Sequence, residues 1–146
     1  MNNNTVLLFC DGSCAHRTRV AVGILIRTTT GEKEYSMSIS QTGSCNQSEY
    51  HAIITGLKLC INNNDNDDDG GTKKQNIHVF SDSQVVIRQL QKKYKINHEL
   101  RKLYDKTRNL EKYFNTVTYT WLPRETPEIR RVNRLAQECN HIRIIH

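Results

Sequence analysis

The sequence lacks any segment long and apolar enough to cross a membrane. Its 146 residues contain no apolar run that approaches the roughly 20 residues of a membrane span. Its start, MNNNTV, also lacks the charged and apolar regions of a signal peptide. We therefore expect a protein of the cell interior, cytoplasm or nucleus, with no membrane partner. The length suits a single domain over residues 1–146 with a sizeable core.

The cysteines lack the arrangement of a zinc site. There are five of them, an odd number, and no two form a CxxC pair. Secreted disulfide frameworks use even numbers of cysteines, so the pattern argues against that class as well. We expect most of the five to be reduced and structural. They are Cys10, Cys14, Cys45, Cys60 and Cys139.

Negative charge is scarce outside one short segment. The chain carries 21 basic and 15 acidic residues, a net charge of +6. Four of the aspartates fall in residues 62–71, NNNDNDDDGG, which hold no Lys or Arg. The rest of the chain is therefore more basic than the total indicates, and a basic surface attracts phosphate backbones. Because many basic domains bind nothing, charge alone gives only a weak preference for nucleic acid.

The acidic segment itself predicts a flexible loop over residues 62–75. Its composition cannot bury apolar surface, so a solvated loop is favoured over a packed element. A calcium-binding EF-hand would need a glutamate at the end of the loop and a helix on either side. The sequence offers neither, which argues against a metal site here.

Hydrophobic periodicity predicts an α/β fold. Residues 6–10, 19–27 and 33–40 have the composition of β-strands, and the turn TTTGE between the last two predicts a hairpin. Helical periodicity then alternates with two more strands, at residues 76–82 and 116–123. The predicted order is β-β-β-α-β-α-α-β-α. A meander followed by α/β crossovers gives a mixed sheet with helices on both faces.

Three acidic residues occupy positions where a carboxylate is costly. Asp11 follows the apolar residues 7–10, and Asp82 ends the apolar strand of residues 76–82. Glu49 lies on the apolar stripe of the first helix, with Ala52, Ile53, Gly56, Leu57 and Cys60. If the two strands are parallel neighbours, about 4.8 Å apart, their ends meet. A carboxylate removed from water needs a partner.

Each acid also has a simpler interpretation. Asp11 could make a turn, Asp82 could help to cap a helix, and Glu49 could be a first-turn acid favoured by the helix dipole. Three carboxylates in one place, however, repel one another and raise each other's pKa. A divalent cation removes that conflict, and oxygen ligands of this kind suit Mg²⁺ or Mn²⁺ better than zinc.

Four segments, in order, resemble a type 1 ribonuclease H. They are CDGSC at a strand end, NQSEYHAIITGL opening a helix, VFSDSQVVIRQL, and WLPRE followed by VNRLAQE. The resemblance covers nearly the whole chain. It implies a five-stranded mixed sheet, three antiparallel strands and then two parallel ones, flanked by helices on both faces. By matching positions, Asp11, Glu49 and Asp82 are its catalytic, metal-binding carboxylates.

The resemblance further implies an activity and a substrate. The family cleaves the RNA strand of RNA–DNA hybrids with two metal ions, Mg²⁺ or Mn²⁺, leaving 5′-phosphate and 3′-hydroxyl ends. The 2′-hydroxyl must then be sensed. The positions that match the RNA-lining ones are the backbone of Gly12 and Ser13 and the side chains of Asn46, Ser83 and Gln84. Asn46 could instead be a helix cap, and Gln84 a solvated first-turn residue.

The sequence departs from the family in its last helix. The family carries a fourth carboxylate in an A-D-x-L-A pattern, whereas VNRLA places Asn133 there. Asn133 could still offer a metal its amide oxygen, without the charge. No histidine lies between Trp121 and Asn133, where many members carry one that assists catalysis. Lys92, Lys93 and Lys95 either replace the basic extra helix of some members or form a solvated cluster.

Three functions stay open at this point, all for an expected monomer. The first is a metal-dependent endonuclease acting on RNA–DNA hybrids, favoured by the intact trio of acids. The second is a non-catalytic or weakly catalytic module that binds hybrid or double-stranded RNA, favoured by Asn133. The third is a nuclease with another nucleic-acid substrate, because this fold hosts several chemistries. Glu125, Glu128 or Glu138 could supply the missing charge, and nothing in the sequence selects among them.

Overall fold

The computed structural model describes residues 3–16, 19–39, 43–63 and 75–141. These residues form five strands and four helices in the predicted order. The strands are β1 (Thr5–His16), β2 (Arg19–Thr28), β3 (Gly31–Ile39), β4 (Asn76–Ser81) and β5 (Thr116–Trp121). The helices are α1 (Cys45–Asn62), α2 (Gln84–Leu90), α3 (His98–Glu111) and α4 (Pro127–His141). No helix within the described residues has the length and apolar character of a membrane span.

The strands form one mixed sheet in the order β3-β2-β1-β4-β5. Strand β2 runs antiparallel to both β1 and β3, while β4 runs parallel to β1 and β5 parallel to β4. This arrangement confirms the predicted mixed sheet. It also puts β1 in the centre, so that the residues following β1 and β4 come out at the same edge.

Helices cover both faces of the sheet, as predicted. On one face, α1 packs its apolar stripe against the sheet, with α2 and α3 completing that layer around Leu8, Ile53 and Leu57. On the other face, α4 presents Ile129 and Val132 to Phe9 and Leu25. The predicted α1 stripe is confirmed, since its apolar members are all buried. The central strands of the sheet are therefore buried on both faces.

The central strand is longer than the sequence predicts. The apolar run stops at Cys10, yet β1 continues to His16 because β2 still lies beside it, with Asp11 opposite Gly23. Its pairing with β4, in contrast, ends at Phe9. Asp11 therefore lies inside β1, at a position where β1 still pairs with β2 but no longer pairs with β4. The expectation that Asp11 stands at a strand end, and the alternative of a turn, are both wrong.

The predicted acidic loop at residues 62–75 can be followed only at its ends. Helix α1 extends to Asn62, and β4 begins at Asn76. Residues 64–74 lie outside the described residues. The prediction for this segment therefore stays a prediction.

Candidate metal and nucleic-acid site

Three carboxylates meet where β1 passes the end of β4. Asp11 comes from β1, Asp82 follows β4 directly, and Glu49 reaches in from α1. One oxygen from each lies within 4.8 Å of the other two. Asp11 is almost fully buried, at 3% exposure. The predicted convergence of these three side chains is confirmed, as one compact cluster of hard oxygen donors.

A glycine brings the helix that carries Glu49 close to β1. The Gly12 N–H donates to Glu49 Oε1 at 2.6 Å. A Cβ atom on Gly12 would collide with the backbone carbonyl of Ser48. Only glycine therefore allows the first turns of α1 to lie against this edge of β1. The same contact orients the Glu49 carboxylate toward Asp11 and engages the backbone N–H of Gly12.

The start of α1 sets the register of its side chains. Ser44 is the N-cap, and it forms a reciprocal capping box with Gln47. Asn46 therefore lies inside the first turn, so its interpretation as the cap is wrong. Glu49 comes after that turn, which holds no acid, so the helix-dipole interpretation of Glu49 is also wrong.

The electrostatics of the cluster are those of a cation site. Burial raises the pKa of Asp11 to about 7, and repulsion by Asp82 adds to this. A hydrogen bond from Asn133 and the charge of Arg124 act in the opposite direction. Burial, followed by the charge of Asp11, also holds the pKa of Glu49 well above its usual range. A divalent cation would relieve both costs, so the donor set fits Mg²⁺ or Mn²⁺.

The fourth position of the site is occupied by an amide. Asn133, the seventh residue of α4, donates from Nδ2 to Asp11 Oδ2 at 3.0 Å. Of the acids that could replace its missing charge, Glu128 bonds Arg27 at 3.1 Å and Glu138 lies 3.9 Å from Arg134. Glu125 is the candidate that shares a pocket with Asn133.

Asp82 is held at the corner between β4 and α2. Ser83 is the N-cap of α2, and its hydroxyl oxygen accepts from the Val86 N–H. The Trp121 indole donates to the carbonyl of Asp82 at 3.1 Å and so fixes the backbone of the corner. Gln84, the first residue of α2, is exposed beside Asp82. Ser83 and Gln84 therefore follow Asp82 directly at this corner.

A disulfide that the sequence did not predict borders the same site. Cys14 and Cys45 are bonded, with their Cα atoms 5.1 Å apart and a sequence separation of 31. Cys10 and Cys60 are free and buried, as predicted. The expectation that most of the five cysteines are reduced therefore does not extend to this bonded pair. Its physical basis is the extension of β1, which carries Cys14 up to the first residue of α1.

The disulfide joins the two segments expected to line an RNA strand. One segment carries Gly12 and Ser13, immediately before Cys14, and the other carries Asn46, immediately after Cys45. The structure thus places these three residues next to one another at the edge of the carboxylate cluster.

Sequence reasoning missed two arginines beside the cluster. Arg124 lies in the connection between β5 and α4, with Nε 3.4 Å from Asp82 Oδ2. Arg130 and Arg124 line one pocket with Asn133. The string WLPRE carried a signal for Arg124, since it follows a strand that ends at the same edge as β4. Arg130 gives no such signal, because it resembles any surface arginine of an amphipathic helix.

Comparison with known proteins agrees with this geometry. The family model described as reverse transcriptase-like matches residues 9–139. The structure of RNase H1 from the halophilic archaeon Halobacterium salinarum is 26% identical, with a TM-score of 0.79 over 94% of this chain and 98% of that one. No curated protein matches the chain in sequence.

Two further solved structures share the fold. The N-terminal RNase H domain of Rv2228c from Mycobacterium tuberculosis is 24% identical, with a TM-score of 0.76 over 92% of this chain and 91% of that one. LC11-RNase H1, solved in complex with an RNA/DNA hybrid, is 22% identical, with a TM-score of 0.74 over 91% and 94%. With its mixed sheet, its gathered acids and a family match over most of its length, the chain belongs to the reverse transcriptase-like family and, within the ribonuclease H-like superfamily, to the type 1 ribonucleases H.

Proposed function

We propose that this protein is a metal-dependent endonuclease that hydrolyses the RNA strand of RNA–DNA hybrids, leaving 5′-phosphate and 3′-hydroxyl ends. The observation that carries the proposal is the meeting of Asp11, Glu49 and Asp82, with their oxygens within 4.8 Å. A protein that only bound nucleic acid would gain nothing from burying three mutually repelling carboxylates beside its binding face.

The acids would hold two Mg²⁺ or Mn²⁺ ions. Such a pair supplies an activated water and stabilises the leaving oxygen of an in-line displacement. In this chain Asp11 contributes a buried carboxylate on the central strand β1, which pairs with β2 at this position. Glu49 is oriented by the Gly12 N–H, and Asp82 by the corner that Trp121 secures. Because these supports are backbone groups and packed elements, the three ligands are held in position before a substrate arrives.

The RNA strand would lie along the edge formed by β1 and the starts of α1 and α2. Ser13, Asn46, Ser83 and Gln84 offer hydrogen-bonding groups there, which can sense the 2′-hydroxyl that distinguishes RNA from DNA. The Gly12 N–H is already engaged by Glu49, so Gly12 can contribute only its carbonyl. The exposed lysines Lys92 and Lys93, between α2 and α3, would add attraction for phosphates farther along the duplex.

A second function has one specific observation in its favour. Asn133 directs its amide nitrogen, not its oxygen, at Asp11, and thus stabilises that carboxylate without a cation. This is the arrangement expected of a weakly catalytic or non-catalytic module that grips hybrid or double-stranded RNA. The two functions differ in whether the bound strand is cut.

Cleavage assays with purified protein separate these functions. Labelled RNA–DNA hybrid, RNA duplex and single-stranded RNA are incubated with Mg²⁺ or Mn²⁺, using wild-type protein, Asp82→Asn and Asp105→Asn. Asp105 is an exposed acid of α3, paired with Arg101, and so controls for loss of one negative charge. We expect wild type and Asp105→Asn to cut the RNA of the hybrid, and Asp82→Asn to be inactive. An uncut hybrid that is still bound would favour the second function.

A further inference from the structure

Arg130 differs from the other arginines of the described part of the chain. Its guanidinium has no hydrogen bond or ion pair with any described residue, whereas most of the others pair with a carboxylate. Those paired arginines are Arg27, Arg101, Arg108, Arg124, Arg131 and Arg134. Arg130 is also the fourth residue of α4, and its backbone N–H donates to the carbonyl of Thr126. A cation near the positive end of a helix dipole is disfavoured unless an anion approaches it.

Arg130 lines a cavity that adjoins the carboxylate cluster. The cavity has a volume of about 380 Å³ and is lined by Arg124, Glu125, Arg130 and Asn133. Two of these residues touch the cluster directly: Asn133 bonds Asp11, and Arg124 lies 3.4 Å from Asp82. The cavity and the cluster therefore share a border, and a molecule occupying one would abut the other.

The charge in this cavity is unbalanced. Its lining contains two arginines and one acid, Glu125. Among the described residues, Asp82 is the one ion-pair partner of Arg124, whose side chain is 73% exposed. Each arginine side chain ends in a planar fork of N–H donors, a geometry that suits the oxygens of a phosphate.

We propose that Arg124 and Arg130 form a phosphate-binding pocket that holds a backbone phosphodiester of the nucleic acid next to the acidic cluster. The inference takes the identity of the duplex, an RNA–DNA hybrid, from the proposed function. It does not require that the protein cleaves this hybrid. Arg124 and Arg130 act here as positioning residues: they fix the register of the strand, while the acids carry the chemistry. Asn133 lies between the two sites and borders both.

Binding of a fluorescent RNA–DNA hybrid in metal-free buffer tests the pocket. Affinity is measured across a salt series for wild type, Arg124→Ala, Arg130→Ala and Arg130→Lys. Arg134→Ala is the matched control, because Arg134 is an exposed arginine one turn farther along α4 and lies outside the pocket. The melting temperature of each variant verifies its fold. In parallel, cleavage of the same hybrid is followed with Mg²⁺.

The logarithm of the binding constant falls linearly with the logarithm of the salt concentration. Loss of one phosphate contact should make this fall less steep by about 0.9. If variant and wild type bind equally at 1 M salt, this difference in slope makes the variant bind about eightfold more weakly at 0.1 M salt. We expect that loss for Arg130→Ala and Arg124→Ala, a partial loss for Arg130→Lys, and less than about a twofold change for Arg134→Ala. The proposed pocket would be contradicted if Arg130→Ala and Arg134→Ala changed the affinity for the hybrid equally, or if the wild type did not bind the hybrid.

The pocket and the proposed function can fail separately in this experiment. A wild type that cuts the hybrid, with Arg130→Ala binding like Arg134→Ala, refutes the pocket and leaves the nuclease intact. A wild type that binds but does not cut, with binding weakened selectively in Arg130→Ala, supports the pocket and refutes the nuclease.

Discussion

Asn133 on α4 donates a hydrogen bond from Nδ2 to Oδ2 of Asp11 on β1, at 3.0 Å. An acid in that place would meet the Asp11 carboxylate at the same distance and repel it. The amide instead lowers the pKa of Asp11, against the larger effect of burial. Asn133 thus makes the cluster less costly before a cation arrives, and it removes one negative charge that would help to hold the cation.

Restoring that charge should strengthen metal binding. We expect Asn133→Asp to lower the metal concentration for half-maximal cleavage by about tenfold, equivalent to about 1.4 kcal/mol, which one added charge at close range can supply. In wild type, Mn²⁺ should outperform Mg²⁺, because it binds such sites more tightly and tolerates less ideal geometry. Metal titrations of cleavage rate, side by side for the two proteins, measure both effects.

The contrary result would identify a different fourth ligand. If Asn133→Asp needs as much metal as wild type, another acid already supplies the charge. Glu125 is then the candidate, because Glu128 and Glu138 lie close to arginines elsewhere. Glu125→Gln would separate the two cases by raising the metal requirement only if Glu125 binds the ion.

Neutralising a member of the trio should abolish activity and leave the fold intact. Without metal, Asp11 is a buried carboxylate repelled by Asp82. Asp11→Asn should therefore eliminate cleavage while raising the free energy of unfolding, in chelator, by about 1–3 kcal/mol. Denaturant unfolding with EDTA gives the stability, and Asp105→Asn provides the control for charge. An Asp11→Asn protein that is less stable than wild type would show that Asp11 has a structural partner.

The stability of the metal-free protein should depend on pH through Asp11. Its pKa is raised from 3.8 to about 7 in the folded protein, so the folded state binds this proton more tightly than the unfolded state. The stabilisation is complete below about pH 4 and is lost as the pH rises through about 7. One such proton gives a slope of up to about 1.4 kcal/mol per pH unit. The raised pKa of Glu49 acts in the same direction.

Melting curves in EDTA across pH 4.5 to 7.5 measure this slope. Because other groups also titrate in this range, the informative quantity is the difference between wild type and Asp11→Asn, which should have the shallower decline. Mg²⁺ should reduce the decline in wild type, because a cation favours the ionised carboxylates. Parallel curves for the two proteins would contradict the assignment of the raised pKa to Asp11.

Sequence periodicity was sufficient for the element order and for the trio of acids. Both depend on local patterns: an apolar strand followed by Asp82, and a helical stripe that contains Glu49. The extent of β1 could not be predicted in the same way, since residues 11–16 are kept in the strand by β2 and not by their own apolar character. The resemblance placed Asn133 in the site as a candidate metal ligand, but its hydrogen bond to Asp11 could not be predicted, because that bond depends on how α4 packs against β1.

The Cys14–Cys45 disulfide depends on that same extension of β1, and it should make a measurable contribution to stability. Closing a loop of 31 residues removes unfolded-state entropy worth about 3.7 kcal/mol in the chain-entropy model. For a chain of this size, that corresponds to about 10 °C in melting temperature. We expect dithiothreitol to lower the melting temperature of wild type by about this amount and to leave Cys14→Ser unchanged. The variant thus serves as its own control for other effects of the reductant. A wild type that melts at the same temperature with and without dithiothreitol would mean that the disulfide adds nothing to stability, and that the Gly12–Glu49 hydrogen bond and the packing of α1 hold this edge of the site unaided.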